Sequence, residues 1–450
     1  MLSQNQKPAS SSTWLKEWTP EKETFWSTVG KAHAWKTLTV TTFNLVLAFA
    51  TWFMVSAIVT RLQGVGFNLT TEQLFWLTAM PGLAAGTLRI AHTFFIPIFG
   101  SRHTITFSTL SLLIPAIGWG LAVQNPATPF WMLMLLAFAA GLGGGNFSSF
   151  MPSTSLFFPK KLQGTALGIQ AGIGNFGVSL AQFVTPWVIG LGAFASMTGG
   201  SQTFHDKART TEIFLQNAPF VYVPLILIGA VWAWFSLKSI PVKANPRQIL
   251  GIFKDKHTWV MTSIYLMTFG AFSGLSGAFP LLIKTLYGGF ENAPVPLQFA
   301  FYGPLIGSAV RVVFGMIADK TGGAILTTIS GLGMLASAIF TSFYVTPKSL
   351  DEFPFFVAGM LSLFFFSGIG NASTFRQMPV IFPATQAAGV IGWTAAIAAY
   401  GPFIVSMLIS ATIAATGNTV AFFYGIAAFF LFNVALNWYF YGRKGAERPS

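Results

Sequence analysis

Two arginines, Arg89 and Arg311, stand 222 positions apart inside long apolar stretches of this 450-residue chain. A charged side chain at membrane depth costs about 2.5–3.5 kcal/mol on insertion scales, so it is kept where it faces a cavity and serves a function. The ordinary explanation, a buried carboxylate partner, is missing. All 12 acidic residues, from Glu17 to Glu447, fall outside the apolar stretches or at their edges. Two unpaired guanidinium groups make a cavity complementary to an anion, and their planar forks suit a planar oxyanion better than a spherical halide.

Other chemistry finds little material. The chain has no cysteine and five scattered histidines, so there is no thiol nucleophile, no metal cluster and no paired intramembrane carboxylates. This argues against an enzyme and against a bound cofactor or metal. His92, three residues after Arg89 and close to the same helix face, is the one titratable group beside the pair. It is a candidate for proton coupling or a hydrogen-bonded structural residue.

The elements that must hold these residues are membrane helices. Hydrophobic residues make up 53% of the chain and charged residues 8%, more apolar surface than a soluble domain could cover. Twelve stretches are long enough to cross the ~30 Å hydrocarbon core: 37–61, 74–99, 104–122, 129–152, 163–190, 217–237, 259–283, 297–318, 323–345, 354–382, 386–413 and 418–441. The expected fold is an all-α membrane protein of two pseudo-symmetric six-helix halves. A cytoplasmic segment 1–36 precedes a half at 37–237, a linker at 238–258 joins it to a half at 259–441, and a tail follows at 442–450. The first 36 residues lack the apolar core of a signal peptide.

The formal charge of +13 is distributed as in a membrane protein, not a nucleic-acid binder. With both termini cytoplasmic, the inner segments hold 18 of the 25 Lys and Arg and the outer loops hold Arg61, Lys207, Arg209, Lys284 and Lys348.

The two halves echo each other. GNFSSF at 145–150 recurs as GNASTF at 370–375, PGLAAGTLR before Arg89 resembles GPLIGSAVR before Arg311, Gly100 pairs with Gly322, and LFFPKKLQGTALG at 156–168 matches VIFPATQAAGVIG at 380–392. Duplication places the binding site near the midplane between the halves. The glycine clusters at 141–145 and 164–177 predict helices in close backbone contact, since small residues are the main means of packing in lipid.

With these motifs in view, GGGNFSSFMPSTSLFFPKKLQGTALGIQAGIGNFGV at 143–178 resembles the nitrate/nitrite porters of the major facilitator superfamily, and the resemblance runs through nearly the whole chain. It implies the major facilitator fold, alternating access in a bacterial inner membrane, and nitrate and nitrite as substrates. By the same resemblance Arg89 and Arg311 grip the substrate oxygens, Asn175 and Tyr265 supply polar contacts, and Phe147 and Phe269 form aromatic walls. The first signature helix carries Gly164, Gly168, Gly172 and Gly174, and the second carries Gly392 and Gly401. In the second, Ala398 and Pro402 replace glycines frequent in the family, which predicts looser helix contact there. FGMIADKTGG at 314–323 resembles the superfamily's loop between the second and third helices of a half, with Asp319 as a gating acid, while IFGSRHT in the first half lacks the acid. Arg376 is a candidate gate or a positive charge at the cytoplasmic edge.

No acid lies within the membrane spans, so nitrate/nitrite exchange is favoured over the alternatives, nitrate:proton symport and nitrite-selective transport. A channel or a sensor is the competing class, but the short termini leave no room for a signalling domain. A monomer, and a functional link to a cytoplasmic nitrate reductase, complete the expectation.

Overall fold

The computed structural model describes residues 13–15, 17–206, 209–241 and 251–450; the side chains of Phe194, Arg209, Asp319, Ala384 and Thr385 lie outside that description. The gating role expected of Asp319, the lysines at 7, 16, 207 and 243, Arg247 and residues 242–250 of the 238–258 linker therefore fall outside it.

Among the described residues, ten helical runs are long and apolar enough to cross a membrane. One of them, Thr71–Ala122, is 52 residues long, far more than the ~20 residues a span needs. It breaks at Gly100, whose φ of 74° departs from helical geometry. The 29-residue helix Lys160–Val188 is also long enough to cross, though it is more polar than the others. The twelve helices are α1 (Glu23–Val65), α2 (71–99), α3 (101–122), α4 (Phe130–Ser155), α5 (Lys160–Val188), α6 (Asn217–Ser236), α7 (Lys256–Tyr287), α8 (296–321), α9 (Gly323–Ser342), α10 (Leu350–Ile381), α11 (384–416) and α12 (Val420–Gly442). Six precede the linker and six follow it.

The internal repeat has a backbone counterpart. Gly322, at φ 86°, turns the chain between α8 and α9 as Gly100 does between α2 and α3. Both angles lie in the left-handed region that a side chain makes costly. Capping follows the sequence as well: Thr70 and Gln73 form a reciprocal capping box at the start of α2.

α1 begins well before residue 37. The reason is an aromatic cluster in which Trp26 packs on Phe158 and Trp18 on Phe157 and Phe25. This holds the polar leader against the α4–α5 corner as helix. Thr13 to Leu15 pair with Ser239. At the other terminus, Ser450 accepts a hydrogen bond from the α9 backbone at Ala324. Both terminal segments and the start of the linker therefore sit at one end of the bundle. The ion pairs Lys161–Glu23, Lys256–Glu447 and Arg448–Asp255 lie there too.

The opposite end carries an unexpected two-stranded antiparallel hairpin, β1 (Gln202–Asp206) and β2 (Arg209–Ile213). Its Phe204 covers Gly64 and stacks on Arg61, 5.0 Å from guanidinium carbon to ring centroid. Large apolar side chains such as Trp131, Trp187 and Phe235 remain exposed around the outside. A bilayer solvates such a surface, whereas water would not.

Candidate functional site

Arg89 on α2 and Arg311 on α8 are 0% and 5% exposed, and neither forms an ion pair among the described residues. The Arg89 guanidinium donates from Nε to the Gly144 carbonyl at 2.9 Å, within its own half, and from Nη1 to the Ala395 carbonyl on α11 at 2.6 Å, across to the other half. Its Nη2 has no partner. Arg311 donates from Nη1 to the side-chain oxygen of Asn175 at 3.1 Å, while the Asn175 nitrogen donates to the Ala171 carbonyl. In this conformation Asn175 therefore orients Arg311 rather than offering its own donor outward.

Aromatic rings bring the two cations together. The Phe269 centroid is 5.4 Å from Arg89 Cζ and 5.9 Å from Arg311 Cζ, so the two guanidinium carbons are no more than 11.3 Å apart. Phe147 lies 4.6 Å from Arg89 and stacks on Phe269 at 6.4 Å. Tyr265 stacks on Phe269 at 5.5 Å and 8°, and its fully buried hydroxyl has no hydrogen-bond partner of good geometry. Ring faces attract cations, which holds the guanidinium planes in place without neutralising them.

Tyr265 and Phe269, four residues apart on α7, share a face as any i, i+4 pair on a helix does. Residues Leu266–Gly270 form a π-helical turn inside α7. Such turns are rare, cluster at functional sites, and rotate the side chains on either side of them. Nothing in SIYLMTFG announces the turn.

The structure brings Arg89, Arg311, Asn175, Tyr265, Phe147 and Phe269 into one cluster and leaves other candidates apart. Arg376 is exposed on α10 toward the end with the termini. His92 is buried, with Nδ1 2.9 Å from Ser149 Oγ and its ring against Phe95. Three participants were not singled out from sequence: Trp52 near Arg89, the Ala395 carbonyl, and Phe375, which is 5.0 Å from Arg311 and 5.2 Å from the Tyr265 ring. The repeated hexamer held a signal for the last, since Phe375 closes its second copy.

The signature glycines divide into two groups. Gly172 packs on Val312, Gly174 on Leu45 and Gly401 on the Gly270 carbonyl, whereas Gly164, Gly168 and Gly392 have open space beside them. The open group lies toward the end with the termini. At the far end the halves meet closely, with Gly82 against Pro402 and Phe403, Gly86 against Tyr400, and Lys284 Nζ donating to Gln63 at 2.9 Å. The contact at Pro402 is thus tight, contrary to the expectation that loss of a glycine would loosen it. The glycine that permits the approach sits on α2 instead. The halves are therefore tightly packed at the far end, and the arginines and the rings around them are buried.

The sequence matches the family model described as Major Facilitator Superfamily over residues 41–380. It is 61% identical to the probable nitrate/nitrite antiporter NarK2 of Thermus thermophilus, over 97% of this chain and 98% of that protein. It is 38% identical to the nitrate/nitrite transporter NarU of Salmonella typhimurium, over 96% of each. Among solved structures, a D-xylose–proton symporter superposes with a TM-score of 0.65 at 16% identity, covering 90% of this chain and 97% of that one. A bacterial homologue of the lysosomal transporter Spinster, in an inward-facing, occupied conformation, gives 0.63 at 15%, covering 89% and 95%. At those identities the structural likeness speaks for the fold alone.

Proposed function

Because the chain belongs to the major facilitator superfamily, and within it to the nitrate/nitrite porters, we propose that it carries nitrate and nitrite across a bacterial cytoplasmic membrane by alternating access, exchanging one anion for the other. The observation that carries this reading is the pair of buried guanidinium groups held against one aromatic ring without a carboxylate. A planar anion between them accepts from Arg89 Nη2 and from the Arg311 fork, while Phe147 and Phe269 line its faces. The end that bears both terminal segments is rich in Lys and Arg and is placed in the cytoplasm by the positive-inside rule.

Exchange follows from electrostatics. Two unpaired cations resist being sealed into a low-dielectric core, and an anion that neutralises them makes the loaded carrier the mobile one. The bond from His92 to Ser149 supports a structural role for that residue. The carrier is read as a monomer, and a cytoplasmic nitrate reductase would consume the imported anion and supply the exported one.

The test is nitrate uptake by purified protein in liposomes, loaded with nitrite or left empty, with and without an inward proton gradient. Exchange requires internal nitrite and ignores the gradient. Gradient-driven uptake into empty vesicles would mean symport and make His92 the first residue to mutate, whereas transport of nitrite but not nitrate would establish the nitrite-selective alternative.

A further inference from the structure

Asn371, the asparagine of the second hexamer, is 0% exposed, and neither its Oδ1 nor its Nδ2 has a hydrogen-bond partner. A buried carboxamide with both ends unpaired is rare in a folded protein and calls for a missing partner. Its counterpart in the first hexamer, Asn146, donates to the Ser108 carbonyl, although only at 3.5 Å.

The packing of α10 shows where the amide sits. Gly303 of α8 packs on Phe364 and Gly307 packs on Gly368, so the two helices run parallel, and one further turn puts Asn371 level with Arg311. Phe364, Asn371 and Phe375 recur at spacings of seven and four, which places them on one face of α10. Phe364 meets Phe272 of α7, and Phe375 meets both Tyr265 and Arg311. The orphaned amide therefore lies on the stripe that faces the anion cluster, where Arg89 Nη2 is unpartnered too.

We infer that Asn371 is a further substrate-binding residue, whose Nδ2 donates to the third oxygen of nitrate, the atom that nitrite lacks. This rests on the reading of the arginine pair as the nitrate site. The arginines hold the two oxygens common to both anions, and Asn371 discriminates between them. A hydrogen bond to a charged acceptor is worth about a tenfold change in affinity or more.

The experiment compares nitrate and nitrite binding, and thermal unfolding without anion, for the full chain and for Asn371→Leu. Leucine nearly matches the amide in shape, and replacing an unsatisfied buried group with an apolar one of the same shape is close to neutral. The expected result is about tenfold weaker nitrate binding, nitrite binding within about twofold of the parent, and an unfolding temperature no lower than the parent's. Asn371→Ala repeats the comparison if the leucine variant does not insert. Equal losses for both anions, no loss for nitrate, or a lowered unfolding temperature without anion each overturn the assignment. Arg311→Lys separates the two claims: if it binds both anions normally the arginine reading itself fails, whereas loss of both there with unchanged Asn371 variants removes only the role of Asn371.

Discussion

At the scale of single residues, Arg89 is committed at three of its edges. Two nitrogens are spent on the Gly144 and Ala395 carbonyls, the guanidinium lies on Phe147, and one nitrogen has no partner. A lysine keeps the charge but cannot bond two backbone carbonyls and an anion in one plane. Arg89→Lys and Arg311→Lys should each weaken nitrate binding by about tenfold to a hundredfold, the range expected for losing a charged hydrogen bond. Calorimetric titration of variants that insert normally checks this, and unchanged affinity in both would show that neither fork holds the substrate. The arginines were legible in the sequence because membrane composition makes an isolated charge conspicuous. Phe375 was marked only by its place at the end of the repeated hexamer, because one more phenylalanine among 48 carries no such contrast.

At the scale of elements, the glycines of α5 have different work at its two ends. A side chain at Gly177 would come within 2.2 Å of the Val46 carbonyl of α1, while at Gly168 nothing lies within 4 Å. Gly177→Ala should destabilise the protein by about 1–3 kcal/mol through overpacking against backbone. Gly168→Leu should leave thermal stability close to the parent's and yet suppress exchange, because the open face must close in the other conformation. Unfolding curves paired with liposome exchange separate the two effects, and normal exchange by the leucine variant would count against closure along that face. The tail after α12 is a second element with a distinct response. Glu447 accepts from Lys256 and His257, and these hydrogen bonds hold its carboxyl below the ordinary glutamate value. A depressed pKa stabilises docking above the unfolded-state value and loses that contribution as pH falls through the folded value. Amide protection factors at 443–450, taken relative to the intrinsic exchange rate at each pH, should therefore fall on acidification, and Glu447→Gln should make them low at both neutral and acidic pH.

At the scale of the whole molecule, the two halves are bridged at the far end by Lys284 and Gln63, while Gly164 and Gly168 have open space beside them. The chain has no cysteine, so Gln63→Cys with Lys284→Cys introduces the only thiols. Bridging them with a reducible bifunctional reagent should stop exchange, and reduction should restore it. Full exchange by the bridged protein would rule out any cycle in which that end opens. Sequence alone determined the membrane class, the twelve spans, the duplication and the two arginines. Each of these is written in one-dimensional signals: run length, offset, and charge against an apolar background. Tertiary structure decided which face of each helix meets which, and so determined the inversion by which Gly82 rather than residue 402 permits close approach, and the unpaired amide of Asn371. Those outcomes depend on contacts between residues hundreds of positions apart, and no local pattern encodes the rotation of one helix against another.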